Sequence, residues 1–169
     1  MKNNIALIGM MGCGKSTIGK ELQKHLPEYS FVDIDELIES STQKKISEIF
    51  LKYGEHHFRV LENDKIKSVL KNDFQIISLG GGAFEDPENR DLLLSKSCVI
   101  FLKASPQAIF DRIKNETHRP LLRRDFSVEK IQEIMQKRLH NYEKAHFTID
   151  TTEKTPYNIV NEILGVLDD

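Results

Sequence analysis

The segment Gly-Met-Met-Gly-Cys-Gly-Lys-Ser at positions 9–16 constrains the fold more than any other feature of the chain. It matches the P-loop pattern of a glycine, four residues, and then Gly-Lys followed by serine or threonine. Four apolar residues at positions 5–8 precede it and a helical pattern follows it, which is the strand–turn–helix context that the motif requires. The segment therefore predicts a phosphate-binding turn between a buried strand and a helix.

The residue types of this turn explain how it would hold phosphate. Glycines let backbone N–H groups curl around phosphate oxygens, and the helix N-terminus adds its positive end. We expect Lys15 to reach the β- and γ-phosphates and the Ser16 hydroxyl to ligate Mg²⁺. Thr17 is better explained as a packing or capping residue than as a second metal ligand. A chance glycine turn is the alternative, and the agreement of motif and context argues against it.

Short apolar runs alternate with helical patterns along the whole chain. The predicted strands span residues 5–8, 31–33, 76–79, 99–102 and 147–149, and they are continuously apolar, as is typical of strands covered on both faces. Ser105 and Thr155 each precede a proline and are expected to begin helices, and Ser127 is expected to cap a longer one. This alternation predicts an α/β sheet of parallel strands, with sites at their carboxyl ends.

Size and charge exclude several classes of function. The chain has 169 residues, 39% of them hydrophobic, which suits one domain spanning residues 1–169. It contains no run of about twenty apolar residues and no signal-peptide pattern, so we expect a cytoplasmic protein. A net charge of −2 argues against a general nucleic-acid or membrane surface. Cys13 and Cys98 lack metal-ligand spacing and are expected to be free thiols.

Two carboxylates, Asp33 and Asp35, end the second predicted strand. In extended backbone they point to the same side, so one can hold the hydration shell of Mg²⁺ while the other accepts a proton from an attacking hydroxyl. The alternative is that Asp35 caps a helix over residues 36–41 and that Asp33 is a solvated strand end. No acid ends the third or fourth predicted strand, so Asp33 would have to do the metal-binding work of this class of site.

Further along the chain, several residues are candidates for contacts to a substrate. Arg59 lies beside Phe58 at the start of an apolar helical stripe. Arg138 and Tyr142 share a helix face, and Arg138 can pair with a substrate carboxylate or, alternatively, with a surface glutamate. A glycine triplet follows the third strand: Gly80, Gly81 and Gly82. Glycines there permit a ligand to approach the backbone closely, and a simple tight turn is the alternative.

Residues 115–126 form the least patterned stretch and carry Arg119. An arginine-bearing loop after a helix predicts a closing lid, which would bring positive charge to a transferring phosphoryl group and exclude water. A solvated basic loop is the alternative, and it fits Arg123 and Arg124 better than Arg119.

These pieces, in this order and spacing, resemble the shikimate kinase family over nearly the full length of the chain. The matching pieces are the segment Gly-Met-Met-Gly-Cys-Gly-Lys-Ser-Thr, Asp33-Ile34-Asp35, Phe58-Arg59, the glycine triplet, Arg119-Pro120-Leu121-Leu122, Arg138 with Tyr142, and Asp150 followed by Pro156. The resemblance implies a P-loop kinase fold, with a five-stranded parallel sheet flanked by helices and a mobile lid over about residues 115–126. It implies that the chain uses ATP and Mg²⁺ to phosphorylate the 3-hydroxyl of shikimate. We expect a monomer with no nucleic-acid or membrane partner.

The resemblance also assigns roles to single residues. Nucleotide binding would fall to Gly12, Cys13, Gly14, Lys15, Ser16, Thr17, Arg112, Arg119 and Pro156. Within that set, Arg112 and Pro156 would sandwich adenine, while Ser16 and Asp33 would hold Mg²⁺. Catalysis would rest on Asp35 as the base, Lys15 and Arg119. Shikimate would contact Asp35, Phe50, Phe58, Arg59, Gly80, Gly81, Gly82 and Arg138.

Two other functions are compatible with the same motifs. The first is another small P-loop kinase, acting on gluconate or a nucleotide, although Arg59 and Arg138 together favour a carboxylated substrate. The second is a nucleotide-binding module that has lost catalysis. The presence of Lys15, Asp35 and Arg119 argues against such a loss.

Overall fold

A computed structural model describes residues 3–114 and 127–168, and its centre is a five-stranded sheet. The strands are β1 Asn4–Ile8, β2 Ser30–Asp33, β3 Gln75–Ser78, β4 Ser97–Lys103 and β5 Phe147–Asp150. All five strands predicted from the sequence are present, and their ends differ from the prediction by at most two residues. The predicted lid over residues 115–126 lies outside the described residues.

The strands pair in the order β2-β3-β1-β4-β5, and every pairing is parallel. In the central strand β1, Ala6 lies opposite Ile77 on one side and Val99 on the other. All residues of β1 are buried, so both faces of the sheet are covered at its centre. The predicted α/β class with a five-stranded parallel sheet is therefore confirmed.

Helices connect the parallel strands, as crossover connections require. Within the described residues they are α1 Lys15–His25, α2 Ile34–Thr42, α3 Ile46–Val69, α4 Pro87–Lys96, α5 Pro106–Ile113, α6 Val128–Tyr142 and α7 Pro156–Asp168, with a short 3₁₀ helix at Ala83–Glu85. Helix α1 packs against α7 and against β1, β2 and β3, whereas α4 packs against β4 and α3. Because all strands run the same way, their carboxyl ends meet at one edge of the sheet, where ligands bind in open α/β folds.

The expected helix starts are present. The side chains of Ser105 and Ser127 accept hydrogen bonds from the third residue beyond them, each at 3.1 Å, and Thr155 does so at 3.3 Å. Helix α3 contains a break at Gly54, whose φ of 84° and ψ of 171° are not helical. The apolar helical stripe that the sequence predicts from Phe58 onwards lies in the part of α3 after this break.

The structure bears on membrane-spanning helices and on the two cysteines. In the described part of the chain, no helix combines the length and the apolar character needed to cross a bilayer. Cys13, which is buried, and Cys98 form no disulfide within the described residues.

Candidate active site

The phosphate-binding turn connects β1 to α1 and is built on glycine. Gly12 and Gly14 have φ values of 75° and 98°, which residues with a side chain rarely adopt. A Cβ atom at Gly12 would also lie 2.6 Å from the side chain of Ile113, so the turn packs closely against α5. Helix α1 begins at Lys15, directly after the turn, and its positive N-terminal end therefore lies at the turn.

The ammonium group of Lys15 lies inside this turn. Its Nζ donates hydrogen bonds to the carbonyl oxygens of Gly9 at 2.8 Å and Met10 at 2.9 Å, and the residue is only 8% exposed. A cation beside a glycine-rich turn and a helix N-terminus is the charge pattern that phosphate oxygens require. The turn therefore fits the polyphosphate of ATP.

Three side-chain oxygens cluster beside the turn. The Ser16 hydroxyl donates to Oδ2 of Asp33 at 2.5 Å and lies 3.3 Å from the hydroxyl of Ser78. Mg²⁺ prefers oxygen ligands and is commonly held by one or two carboxylates together with substrate phosphates. No group of three His, Cys, Asp or Glu side chains able to hold a metal occurs in the described ranges. The donor set fits Mg²⁺ in company with phosphate better than a metal held by the protein alone.

The structure corrects the expected geometry of the two aspartates. Asp33, not Asp35, caps α2, because its Oδ1 accepts hydrogen bonds from the N–H groups of Asp35 at 3.0 Å and Glu36 at 3.2 Å. Asp35 does not lie in extended backbone, since α2 begins at Ile34 and places Asp35 in its first turn. Both carboxylates still border the same cavity, because the chain turns directly from strand into helix.

A cavity of about 350 Å³ lies at the carboxyl ends of β1, β2 and β3. It is lined by Met11, Gly12, Gly14, Lys15, Ser16, Thr17, Asp33, Asp35, Ser78, Leu79, Gly80, Gly81, Arg112 and Ile113. The phosphate-binding turn, the oxygen cluster and part of the glycine triplet thus border one space. This is the location at which parallel α/β sheets bind ligands.

Arg59 is held by a buried acid. Its Nη1 lies 2.7 Å from Oε1 of Glu62, whose side chain is 1% exposed, and its Nη2 lies 3.3 Å from the exposed Glu55. The other carboxylate oxygen of Glu62 has no hydrogen-bond partner among the described residues. Burial raises the pKa of Glu62 to about 7, although the positive charge of Arg59 opposes this rise. A buried acid with a perturbed pKa beside an arginine marks a candidate functional site.

Arg138 and Tyr142 lie on one face of α6, as their spacing predicts, and both reach the glycine triplet. The Tyr142 hydroxyl donates a hydrogen bond to the carbonyl oxygen of Gly81. Burial raises the pKa of Tyr142, so the phenol keeps the proton that it donates. Nη1 of Arg138 lies 3.9 Å from the sulfur of Met10 and would lie 3.0 Å from a Cβ atom at Gly81. Helix α6 thereby places a second arginine beside Gly81, which borders the cavity.

Phe50 and Phe58 form an apolar surface next to Arg59. Their ring centroids are 4.8 Å apart, and the guanidinium carbon of Arg59 lies 5.2 Å from the centre of the Phe58 ring. Phe50 and Phe58 lie on opposite sides of the break at Gly54 in α3. The predicted apolar wall and the predicted arginine are therefore in contact.

The two predicted adenine-binding residues, Arg112 and Pro156, differ in their position relative to the cavity. Arg112 lines the cavity and donates to the carbonyl oxygens of Thr151 at 2.8 Å and Gly12 at 3.3 Å. Pro156 is exposed at the start of α7, and Cys13 is buried within the turn. Neither Pro156 nor Cys13 is among the residues that line this cavity. The remaining predicted residue, Arg119, lies outside the described residues, as do Arg123 and Arg124.

The sequence motifs do not single out Glu62 or Ser78. A signal for Glu62 exists, since Phe58, Glu62 and Ile66 follow one another at intervals of four and are all buried on α3. Ser78 is a hydroxyl residue at the end of a buried strand, next to the glycine triplet. Polar residues within apolar patterns would have pointed to both.

Comparisons with known proteins show the family to which the chain belongs. The model of the family described as shikimate kinase matches residues 11–168. A shikimate kinase from Thermodesulfovibrio yellowstonii is 44% identical over 161 residues, which cover 95% of this chain and 92% of that protein. One from Persephonella marina is 43% identical over 162 residues, covering 96% of this chain and 97% of that protein.

Solved structures give the same result. The shikimate kinase from Acinetobacter baumannii in complex with shikimate superposes with a TM-score of 0.93 at 31% identity, covering 98% of this chain and 92% of that chain. A gluconokinase from Sinorhizobium meliloti superposes with a TM-score of 0.67 at 18% identity, covering 99% of this chain and 92% of that chain. The second likeness shows the fold alone.

Proposed function

Since the chain belongs to the shikimate kinase family, its reaction is the ATP-dependent phosphorylation of shikimate, and we propose that the 350 Å³ cavity is where the phosphoryl group is transferred to the 3-hydroxyl. The observation that supports this proposal is that candidate phosphate-binding residues and candidate acceptor-binding residues line the same cavity. The phosphate-binding turn borders this cavity, and so do Asp35, Gly80 and Gly81. A donor and an acceptor would therefore meet there.

On the nucleotide side, Lys15 and the backbone of the turn, from Gly12 to Thr17, bind the phosphates of ATP. Arg112 and Pro156 hold the adenine; for Pro156 this role rests on the resemblance alone. Ser16 and Asp33 would hold Mg²⁺, which when bound neutralises charge on the phosphate oxygens. The short Ser16–Asp33 contact supports this pair as ligands, because both oxygens already lie together.

On the acceptor side, Arg59 and Arg138 bind the carboxylate of shikimate. Two guanidinium groups beside a glycine backbone suit a planar carboxylate, which accepts paired hydrogen bonds from arginine. Phe50 and Phe58 provide the apolar wall against which the ring of shikimate lies. The backbone of Gly80, Gly81 and Gly82 lies beneath it.

Asp35 orients the attacking hydroxyl and accepts its proton. Its carboxylate lies beside Gly80 on the border of the cavity that the phosphate-binding turn also lines. Phosphoryl transfer through a loose transition state asks for positioning and charge stabilisation more than covalent chemistry, so Asp35 works mainly by orientation. Arg119 adds positive charge to the transferring group, with a lid over residues 115–126; both assignments rest on the resemblance, since these residues lie outside the described ranges.

The test is ADP release by the purified chain with Mg-ATP and a panel of acceptors: shikimate, gluconate and nucleoside monophosphates. We expect ADP with shikimate only, and loss of that signal in Asp35→Asn. Release with gluconate or a nucleotide instead would retain the P-loop kinase and reject shikimate as the acceptor. ATP binding without ADP release for any acceptor would support a nucleotide-binding module that has lost catalysis.

We further propose that the protein is a cytoplasmic monomer without a nucleic-acid or membrane partner. Gel filtration tests whether it is a monomer.

A further inference from the structure

The glycine triplet after β3 is not explained by backbone conformation. In the described residues, the glycines with positive φ are Gly9, Gly12, Gly14 and Gly54, so none of them belongs to the triplet. Gly82 has a φ of −100° and a ψ of −4°, which residues with side chains also adopt. A tight turn alone would therefore accept other residues at these positions.

The lack of room for a side chain explains why position 82 is a glycine. A Cβ atom there would lie 2.4 Å from Nη2 of Arg59, 2.9 Å from its Cζ and 3.0 Å from its Nη1. The plane of the guanidinium group thus rests directly on the position where a side chain would begin. The same guanidinium is bound to the buried Glu62 at 2.7 Å and lies over the ring of Phe58. Arg59 can leave this position only by giving up those contacts.

The other two glycines show the same relationship in milder form. A Cβ atom at Gly81 would lie 3.0 Å from Nη1 of Arg138. A Cβ atom at Gly80 would lie 3.0 Å from Oε2 of Glu62 and 3.1 Å from Oδ1 of Asp35. Each glycine therefore leaves room for a charged side chain of the site, and the closest approach is at Gly82.

We propose that Gly82 is a positioning residue whose missing side chain lets the guanidinium of Arg59 lie against the backbone, in the orientation that binds the substrate carboxylate. This rests on the proposed role of Arg59. A methyl group at position 82 would meet the far end of a flexible side chain, so it displaces Arg59 rather than the backbone. The expected consequence is weaker shikimate binding by a folded protein.

The variant Gly82→Ala tests the proposal through the two Michaelis constants. We expect the KM for shikimate to rise about tenfold or more, with the KM for Mg-ATP changing less than about twofold, since we assign Arg59 to the shikimate side of the site. The matched control is Gly165→Ala in α7, where a Cβ atom would meet nothing within 4 Å. Both constants should stay unchanged in that control. An unchanged KM for shikimate in Gly82→Ala would overturn the proposal.

Two further variants separate the possible failures. If Arg59→Ala leaves the KM for shikimate unchanged, the proposed role of Arg59 is wrong; if it raises that KM while Gly82→Ala does not, only the role of Gly82 is wrong. Lysine lacks the planar guanidinium group that would meet the new methyl group. Arg59→Lys should therefore reduce the affinity for shikimate less in the Gly82→Ala background than in the wild type. If the effects of the two substitutions on shikimate affinity simply add, the proposed clash between the methyl group and Arg59 is contradicted. If Gly82→Ala does not fold, we expect the double variant Arg59→Lys/Gly82→Ala to fold. If the double variant does not fold either, the methyl group clashes with the backbone and not with Arg59, and the proposal is wrong.

Discussion

The guanidinium of Arg59 and the carboxylate of Glu62 meet at 2.7 Å on neighbouring turns of α3, and the carboxylate is the buried partner. Burying an ion pair costs desolvation energy that often exceeds the attraction, so such a pair is a weak source of stability. Its clearer effect is to hold the arginine in one place. Asp35 and Arg138 also act electrostatically on Glu62, so the acceptor side of the site is one coupled group of charges.

The first prediction concerns the pH dependence of stability. The pKa of Glu62 is about 7 in the folded chain and near 4.5 in the unfolded chain, so between these values the folded state binds more protons. The free energy of unfolding should therefore fall as pH rises from about 4.5 to 7 and then level off, with this residue contributing roughly 1–3 kcal/mol. Urea unfolding at several pH values, on the wild type and on Glu62→Gln, measures this contribution. Relative to Glu62→Gln, the wild type should lose stability as pH rises from about 4.5 to 7, and parallel curves would contradict the prediction.

The second prediction concerns Arg138. Replacing it with alanine removes the proposed charge-assisted contact to the substrate carboxylate, so the Kd for shikimate should rise by about one to two orders of magnitude. Binding of Mg-ATP should change little. Calorimetric titration of both ligands checks this, with Lys137→Ala as the neighbouring control, because Lys137 is exposed and pairs with the exposed Glu133. An unaltered Kd for shikimate in Arg138→Ala would remove Arg138 from the site.

The third prediction concerns the proposed metal ligands. Asparagine is a good helix N-cap, so Asp33→Asn should keep α2 capped while removing the negative charge. The Mg²⁺ concentration for half-maximal rate should rise about tenfold or more, with little change in thermal stability. Titration of Mg²⁺ at saturating ATP and shikimate measures it, and a wild-type Mg²⁺ profile would exclude Asp33 as a ligand.

The fourth prediction concerns the contact between α6 and the glycine triplet. Tyr142→Phe removes the hydrogen bond that the hydroxyl donates to the Gly81 carbonyl and leaves that carbonyl without its donor. The free energy of unfolding should fall by about 1–2 kcal/mol. Tyr157→Phe is the control, because Tyr157 is 63% exposed, and its effect should be within about 0.5 kcal/mol. Equal effects of the two substitutions in urea unfolding would contradict the prediction.

The sheet could be predicted from the sequence because its strands are short, continuously apolar and separated by clear helix signals. The residues that precede Gly9 illustrate this, since a buried central strand cannot alternate polar and apolar residues. The phosphate-binding turn was equally predictable, because positive φ at Gly12 and Gly14 restricts those positions to glycine.

The acceptor side was less predictable, because its geometry depends on contacts between distant segments. Asp33 and Asp35 look alike in the sequence, and only the onset of α2 at Ile34 makes one a cap and the other a residue of the first turn. Glu62 is an acid within a helical pattern, and its burial depends on the packing of α3 against α2, α4 and the 3₁₀ helix. The closeness of Gly82 to Arg59 likewise arises from tertiary packing, which no local pattern encodes.

The central claim is that this chain moves a phosphoryl group from ATP to the 3-hydroxyl of shikimate. The most direct measurement is nuclear magnetic resonance of the products after incubation with Mg-ATP and shikimate, with phosphorus–proton couplings to locate the new ester. We predict one ADP for each shikimate 3-phosphate, and a rate at least about a hundredfold lower in Asp35→Asn. ADP with free phosphate and unaltered shikimate, or an ester on another oxygen, would contradict the account.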